Sequence, residues 1–364
     1  MHDPFPLPRP AALTSYIEPL SARLSLHTLP LHLHEVLLAY LFYHLTNTHL
    51  SPLLSRALFP RIYPSFSART KLNWDVHVVS LVQSTLICAL ALWVMWTDGE
   101  RAAMGWEERV WGYTGASGLI QACAGGYFVW DLVITVQNVG VFGWGMLAHA
   151  VSALFVFSLG FRPFVNFYAP TFILYELSSP FLNIHWFCDK LNLTGSRIQL
   201  YNGILLLTTF FSCRLIWGSY QSIRVFSDVY RAMSQGPPAF DVEKAELGTM
   251  RFAAEPVPLW LAFCYLASNI TLNGLNWFWF GKMIETIRKR FDPPYGTRRP
   301  EKEEKKEKKE EDKVLVEGID VDTPATTPYV EGEGVDYVSV KTEKSGTHLE
   351  VEQAEVRSRG RRRG

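Results

Sequence analysis

Between Leu29 and Lys282 the chain is a succession of apolar blocks, each long enough to cross a bilayer as a helix. That pattern constrains the fold more than any other feature, because it points away from the two or three soluble domains that 364 residues would otherwise suggest. The block from Phe164 to Phe187 is the most telling. It is apolar enough to span, yet it carries Glu176 near its middle, followed by Ser178, Ser179, Pro180, Asn183 and His185. An acidic residue at the centre of a spanning helix costs roughly 2.5 to 3.5 kcal/mol, so a helix that keeps one turns it toward protein or a wet cavity. At helical spacing Glu176, Ser179, Asn183 and Trp186 share one stripe, which gives the block a polar seam in need of partners.

Hydrophobic residues make up 48% of the chain, and the mean hydropathy of only +0.05 reflects dilution by the charged stretch that begins at Asp292. The formal net charge of +0 averages unlike regions and identifies no partner; nothing suggests nucleic acid. The start, MHDPFPLPRP, lacks the basic and apolar regions of a signal peptide, so the first spanning helix is expected to direct insertion. An interfacial helix is expected near Tyr16 to Leu26. The spans expected are Leu29 to Leu45, Val76 to Trp96, Tyr113 to Val136, Val141 to Phe161, Phe164 to Phe187, Gln199 to Trp217 and Pro256 to Lys282. That makes seven, or six without the polar first block. The link Gln137 to Gly140 makes the third and fourth antiparallel neighbours, and Gly125 and Gly126 allow another helix to approach closely. Arg214 sits near enough to the end of its block to snorkel, and Gly218 to Glu255 reads as a polar connection. The loop Thr46 to Asn73 has Arg56, Arg61, Arg69 and Lys71 and no acid, which makes it cytosolic and, with seven spans, the C-terminus cytosolic as well.

The five cysteines show no C-x-x-C spacing, and His32 and His34, two apart, lie on different helix faces. Buried thiols and locally paired histidines are therefore expected, and no metal site. Residues 292 to 364, from EKEEKKEKKEED to RSRGRRRG, are expected to be a disordered charged tail whose terminal arginines can meet anionic lipid head groups.

Three ionisable groups fall in consecutive spans: Asp131, sharing a stripe with Tyr127; His149, three residues before Ser152; and Glu176. They form either hydrogen-bonded glue between helices or the polar base of a lipid site. The segments K-x-N-W-D-V-H-V-V-S (Lys71 to Ser80), G-Y-F-V-W-D (Gly126 to Asp131) and Y-E-L-S-S-P-F-L-N-I-H-W (Tyr175 to Trp186) resemble the TLC domain, over roughly residues 68 to 288. This multispan family includes ceramide synthases and small TLC-domain proteins of lipid homeostasis; the last segment is closer to the small proteins. The resemblance implies an all-α, polytopic bundle of the TLC type in the endoplasmic reticulum membrane, with residues 1–67 preceding the domain and membrane lipids as partners. It leaves a homo-oligomer open. Ceramide synthases carry paired histidines where this chain reads Leu147-Ala148-His149-Ala150, and no H-D-x-x-D follows. The expectation is accordingly a protein that binds or senses lipid acyl chains, without a cofactor, in a cavity lined by Tyr127, Asp131, His149, Ser152, Glu176, Ser179, Asn183 and Trp186. The alternative is an N-acyltransferase using acyl-CoA as substrate, with His149 and Asp131 catalytic; a transporter is the third class.

Overall fold

A computed structural model describes residues 1–237 and 256–291, with side chains to 285, and the backbone of residues 314–316 and 319–321. Helix α1 (Ala11–Leu24) lies close to the expected interfacial helix, and α2 (Leu29–Leu45) matches the first apolar block. A π-helical turn at Thr46–Leu50 joins α2 to α3 (Ser51–Leu58), so part of the loop expected after the first block is helical. Helix α4 (Ala68–Thr97) is followed by the short helices α5 (Gly99–Ala103) and α6 (Trp106–Trp111), then by α7 (Gly115–Gln137) and α8 (Val139–Leu159). Polar residues start the long helices by accepting orphan amides. Ser67 accepts from Thr70 N at 3.2 Å, and Thr114 accepts from Ser117 N at 3.3 Å.

The Phe164 to Phe187 block is not one helix. It consists of a 3₁₀ turn (Asn166–Tyr168), α9 (Ala169–Phe172), a second 3₁₀ segment (Ile173–Ser178) and α10 (Ser179–Lys190). Proline explains both breaks. Pro170 and Pro180 each stand in the first turn of a helix, where a missing N–H is harmless. Pro180 cannot donate to the Glu176 carbonyl four residues back, and the Ser179 amide donates to it instead, the i to i+3 bond of a 3₁₀ turn. Glu176 therefore sits outside the α-helical register that placed it on a stripe with Asn183 and Trp186.

The sixth block differs too. Helix α11 (Arg197–Phe210) continues through a π-helical segment (Phe211–Trp217) into α12 (Gly218–Gln235), giving one helical run of 39 residues. The first part of the expected connection is a helix because its buried residues Gly218, Gln221, Ser222, Val225, Asp228, Val229 and Ala232 recur at helical spacing, and residues 238–255 lie outside the described residues. Helix α13 (Leu259–Phe291) completes the bundle.

Four helical runs among the described residues are long and apolar enough to cross a membrane: Ala68–Thr97, Trp106–Gln137, Val139–Leu159 and Arg197–Gln235. Helices α7 and α8 are neighbours, as their short link requires, and α8 is kinked where Gly143 takes φ +83°. Helix α2 lies against α7 so closely that a Cβ on Gly126 would come within 2.6 Å of Ala39 Cβ. Val79, Ala91 and Val94 of α4 and Ala116, Ile120 and Ala124 of α7 fill the centre. Beyond the helices the backbone pairs two short antiparallel strands, β1 (Val314–Val316) and β2 (Ile319–Val321), inside the stretch expected to lack order; the rest of that tail lies outside the described residues.

Candidate functional site

Polar side chains form layers along the joint between α4, the broken 164–190 segment, and α11 to α13. At one end the carboxylate of Asp75 on α4 accepts from Ser51 Oγ at 2.6 Å and from Tyr63 Oη at 2.9 Å. Burial and this carboxylate together raise the Tyr63 phenol above its ordinary range. Trp74 donates to Ser55 Oγ at 2.8 Å and packs on Phe187 and Trp186.

The next layer joins α4 to α10. His77 Nδ1 donates to Asn183 Oδ1 at 2.8 Å, and Asn183 Nδ2 donates to Ser80 Oγ and to the Ser179 carbonyl, both at 3.0 Å. The His77 ring stacks on Trp186 with centroids 3.9 Å apart. All four side chains are buried, and every polar atom of the Asn183 amide is used.

One turn further, at the proline break, lies Arg214. It does not snorkel: only 7% exposed, it points into the bundle from the π-helical segment. Its Nε donates to Ser178 Oγ at 3.0 Å, while its terminal nitrogens reach Asn276 Oδ1 and Ser179 Oγ, each at 3.4 Å. Glu176 and Arg214 both bear electrostatically on Cys88 and Cys213, which puts acid and base in one neighbourhood. Asn276 is 1% exposed and its Nδ2 has no hydrogen-bond acceptor among the described residues. An orphan buried donor of this kind costs about 1 to 3 kcal/mol. Beyond it, Asn273 Nδ2 donates to Ser222 Oγ at 2.8 Å.

At the opposite end Asp228 of α12 takes a bidentate pair from Arg109, at 2.6 and 2.8 Å, and the Tyr168 hydroxyl at 2.6 Å. Arg101 is held by the Phe167 carbonyl at 2.9 Å and Thr171 Oγ1 at 2.7 Å, and burial lowers its pKa to about 10. A separate polar group lies between the N-terminal segment and α2, where Asp3, His32 and Glu35 converge.

The residues nominated from sequence are distributed as follows. Glu176, Ser179, Asn183 and Trp186 belong to the layers at the break. Asp131 and Tyr127 are buried on α7, where Tyr127 meets Tyr43 and Trp130. His149 is half-buried on α8, and Ser152 is exposed, its hydroxyl donating to the Ala148 carbonyl at 2.7 Å. The hydrogen bonds of Ser178, Ser179 and Asn183 run to His77, Ser80 and Arg214, which sequence reasoning had not nominated. His77 and Ser80 stand in the K-x-N-W-D-V-H-V-V-S segment, so the sequence carries a signal for them.

A family model described as the TLC domain matches residues 73–285. An uncharacterized TLC domain-containing protein of Schizosaccharomyces pombe is 40% identical over 285 residues, 78% of this chain and 89% of that protein. Topoisomerase I damage affected protein 4 of Saccharomyces cerevisiae is 29% identical over 268 residues, 72% of this chain and 86% of that one. TLC domain-containing protein 4 of Homo sapiens is 30% identical over 156 residues, 42% of this chain and 58% of that protein.

Proposed function

The chain belongs to the TLC-domain family and is a multi-pass membrane protein, and from that premise we propose that it binds a membrane lipid at the proline break, with a lipid oxygen against Arg214 and Asn276. The observation that carries this reading is the buried Asn276 Nδ2, which has no acceptor among the described residues and lies beside the Arg214 guanidinium, itself bonded to Ser178, Ser179 and the Asn276 amide oxygen. An ester or amide carbonyl, a carboxylate or a phosphate oxygen supplies the acceptor that Asn276 Nδ2 lacks and a further partner for the guanidinium. Phe210, Leu215 and Trp279 form a buried apolar cluster next to the site, with the Arg214 guanidinium over the Phe210 ring.

In this reading the protein serves lipid homeostasis in the endoplasmic reticulum membrane, binding rather than transforming its lipid. It crosses seven times, counting α2, the broken segment and α13, and keeps its C-terminus in the cytosol. The test is lipid extraction and mass spectrometry of the protein purified in mild detergent. Wild type should retain a defined lipid class at near one per chain. Arg214→Met and Asn276→Leu should retain about fivefold less while keeping the wild-type elution profile, a loss of about 1 kcal/mol in binding. A lipid content equal to that of an unrelated membrane protein, or unchanged in both variants, would overturn the proposal.

A further inference from the structure

Asp3, His32 and Glu35 place one imidazole nitrogen and two carboxylates so that their ligand atoms all lie within 4.8 Å of one another. His32 and Glu35 come from the first turns of α2 and are each 1% exposed, while Asp3 reaches them from the N-terminal segment. Asp3 and His32 stand far apart in spacing terms from any familiar ligand motif, so the pattern is invisible without the fold.

The distances suit a small cation. His32 Nδ1 is 2.8 Å from Glu35 Oε2 and 3.6 Å from Asp3 Oδ2. Two ligands on a tetrahedral zinc ion, each about 2.0 to 2.2 Å from the metal, are separated by about 3.3 to 3.6 Å, near 3.4 Å for bonds of about 2.1 Å. The two observed separations bracket that value, so small side-chain rotations complete the geometry. The other ring nitrogen, Nε2, is bonded to the Tyr113 hydroxyl, the outer contact that fixes the ring orientation of a metal-ligating histidine.

Without a cation the arrangement is incompletely satisfied. Nδ1 carries at most one proton, which serves Glu35 Oε2; the Asp3 carboxylate also lies against Glu35, so two carboxylates meet at one imidazole, and Glu35 Oε1 has no hydrogen bond among the described residues. His34 Nε2, 3.7 Å from Oε1, is already engaged with the Leu7 carbonyl at 3.2 Å. A divalent cation neutralises both carboxylates and uses the Nδ1 lone pair, with the N–H then on Nε2 facing Tyr113.

We propose that Asp3, His32 and Glu35 form a site for a divalent first-row transition metal, best matched by Zn²⁺, with water in the fourth position. The mixed nitrogen and oxygen donor set fits zinc better than the harder cations, which take mainly oxygen. The ion would pin the N-terminal segment over α2 and the start of α7, where the Gly115 amide already donates to the Met1 carbonyl at 3.1 Å.

The experiment uses the full-length chain, tagged at the C-terminus without histidines, stripped by a chelator and titrated with Zn²⁺ and with Co²⁺ as a visible probe. Wild type should bind one equivalent and show the intense d–d absorption of tetrahedral Co²⁺, and Zn²⁺ should raise its Tm. Asp3→Asn changes a partly exposed residue and so should leave the fold intact; it should weaken binding by about tenfold or more, and Glu35→Gln should abolish the cobalt spectrum. No stoichiometric binding by wild type, or equal affinity in wild type and Asp3→Asn, would overturn the site.

Discussion

Single side chains in this protein carry obligations that can be removed one at a time. Tyr63 and Ser51 both donate to Asp75, so Tyr63→Phe deletes one of two donors to a buried carboxylate and leaves the aromatic packing on Trp74 and Phe66 in place. A hydrogen bond to a charged group contributes about 1.5 to 3 kcal/mol. Thermal unfolding in detergent should show Tyr63→Phe destabilised by that amount; an unchanged Tm would mean that Asp75 is protonated or finds another donor. The polar seam around Glu176 was legible in the sequence because a carboxylate and an asparagine stand out in an apolar run. Arg214 was not, since its place near the end of an apolar block is also where a snorkelling arginine belongs. Only the continuation of its helix into α12 puts it inside. Asp3 was missed for a different reason: its contact with His32 and Glu35 depends on how the N-terminal segment folds back, which no local pattern encodes.

At the level of elements, apolar length located the long helices, with the first block coinciding with α2, but not α3 or α12, which fall in stretches that read as connections. What length conceals is backbone hydrogen bonding. The Phe164 to Phe187 block is long and apolar enough overall to read as one span, while Pro170 and Pro180 divide it. The adjacent glycines of α7 give a sharper test of how elements meet. A Cβ at Gly126 would lie 2.6 Å from Ala39 Cβ and 3.0 Å from the backbone nitrogen of Tyr40, whereas one at Gly125 would rest 3.5 Å from the Phe161 ring. Gly126→Ala should therefore force α2 away and cost about 1 to 3 kcal/mol. Gly125→Ala should be neutral or stabilising by up to about 1 kcal/mol through helix propensity. Equal Tm shifts for the two would contradict the close approach of α2 to α7 at Gly126.

For the whole molecule, the Arg109, Asp228 and Tyr168 cluster ties together three distant parts of the chain: the segment before α7, the start of the broken segment and α12. Asp228 is 2% exposed, so Asp228→Asn leaves a largely buried guanidinium without its counter-charge. Breaking such a pair costs about 3 to 5 kcal/mol. Protease digestion should then cut α12 at lower detergent temperature than in wild type, and a digestion profile identical to wild type would show that the cluster does not hold this end together.

The 39-residue run from Arg197 to Gln235 has a mechanical consequence. At 1.5 Å per residue it is about 58 Å long, roughly twice the thickness of a hydrocarbon core. Its π-helical segment, which carries Arg214, divides it near the middle, and the 18 residues of α12 beyond extend about 27 Å. A tilt of about 10° at that joint displaces the far end by about 5 Å. A bend at the buried arginine would therefore be carried along the same helix to the Asp228 clasp.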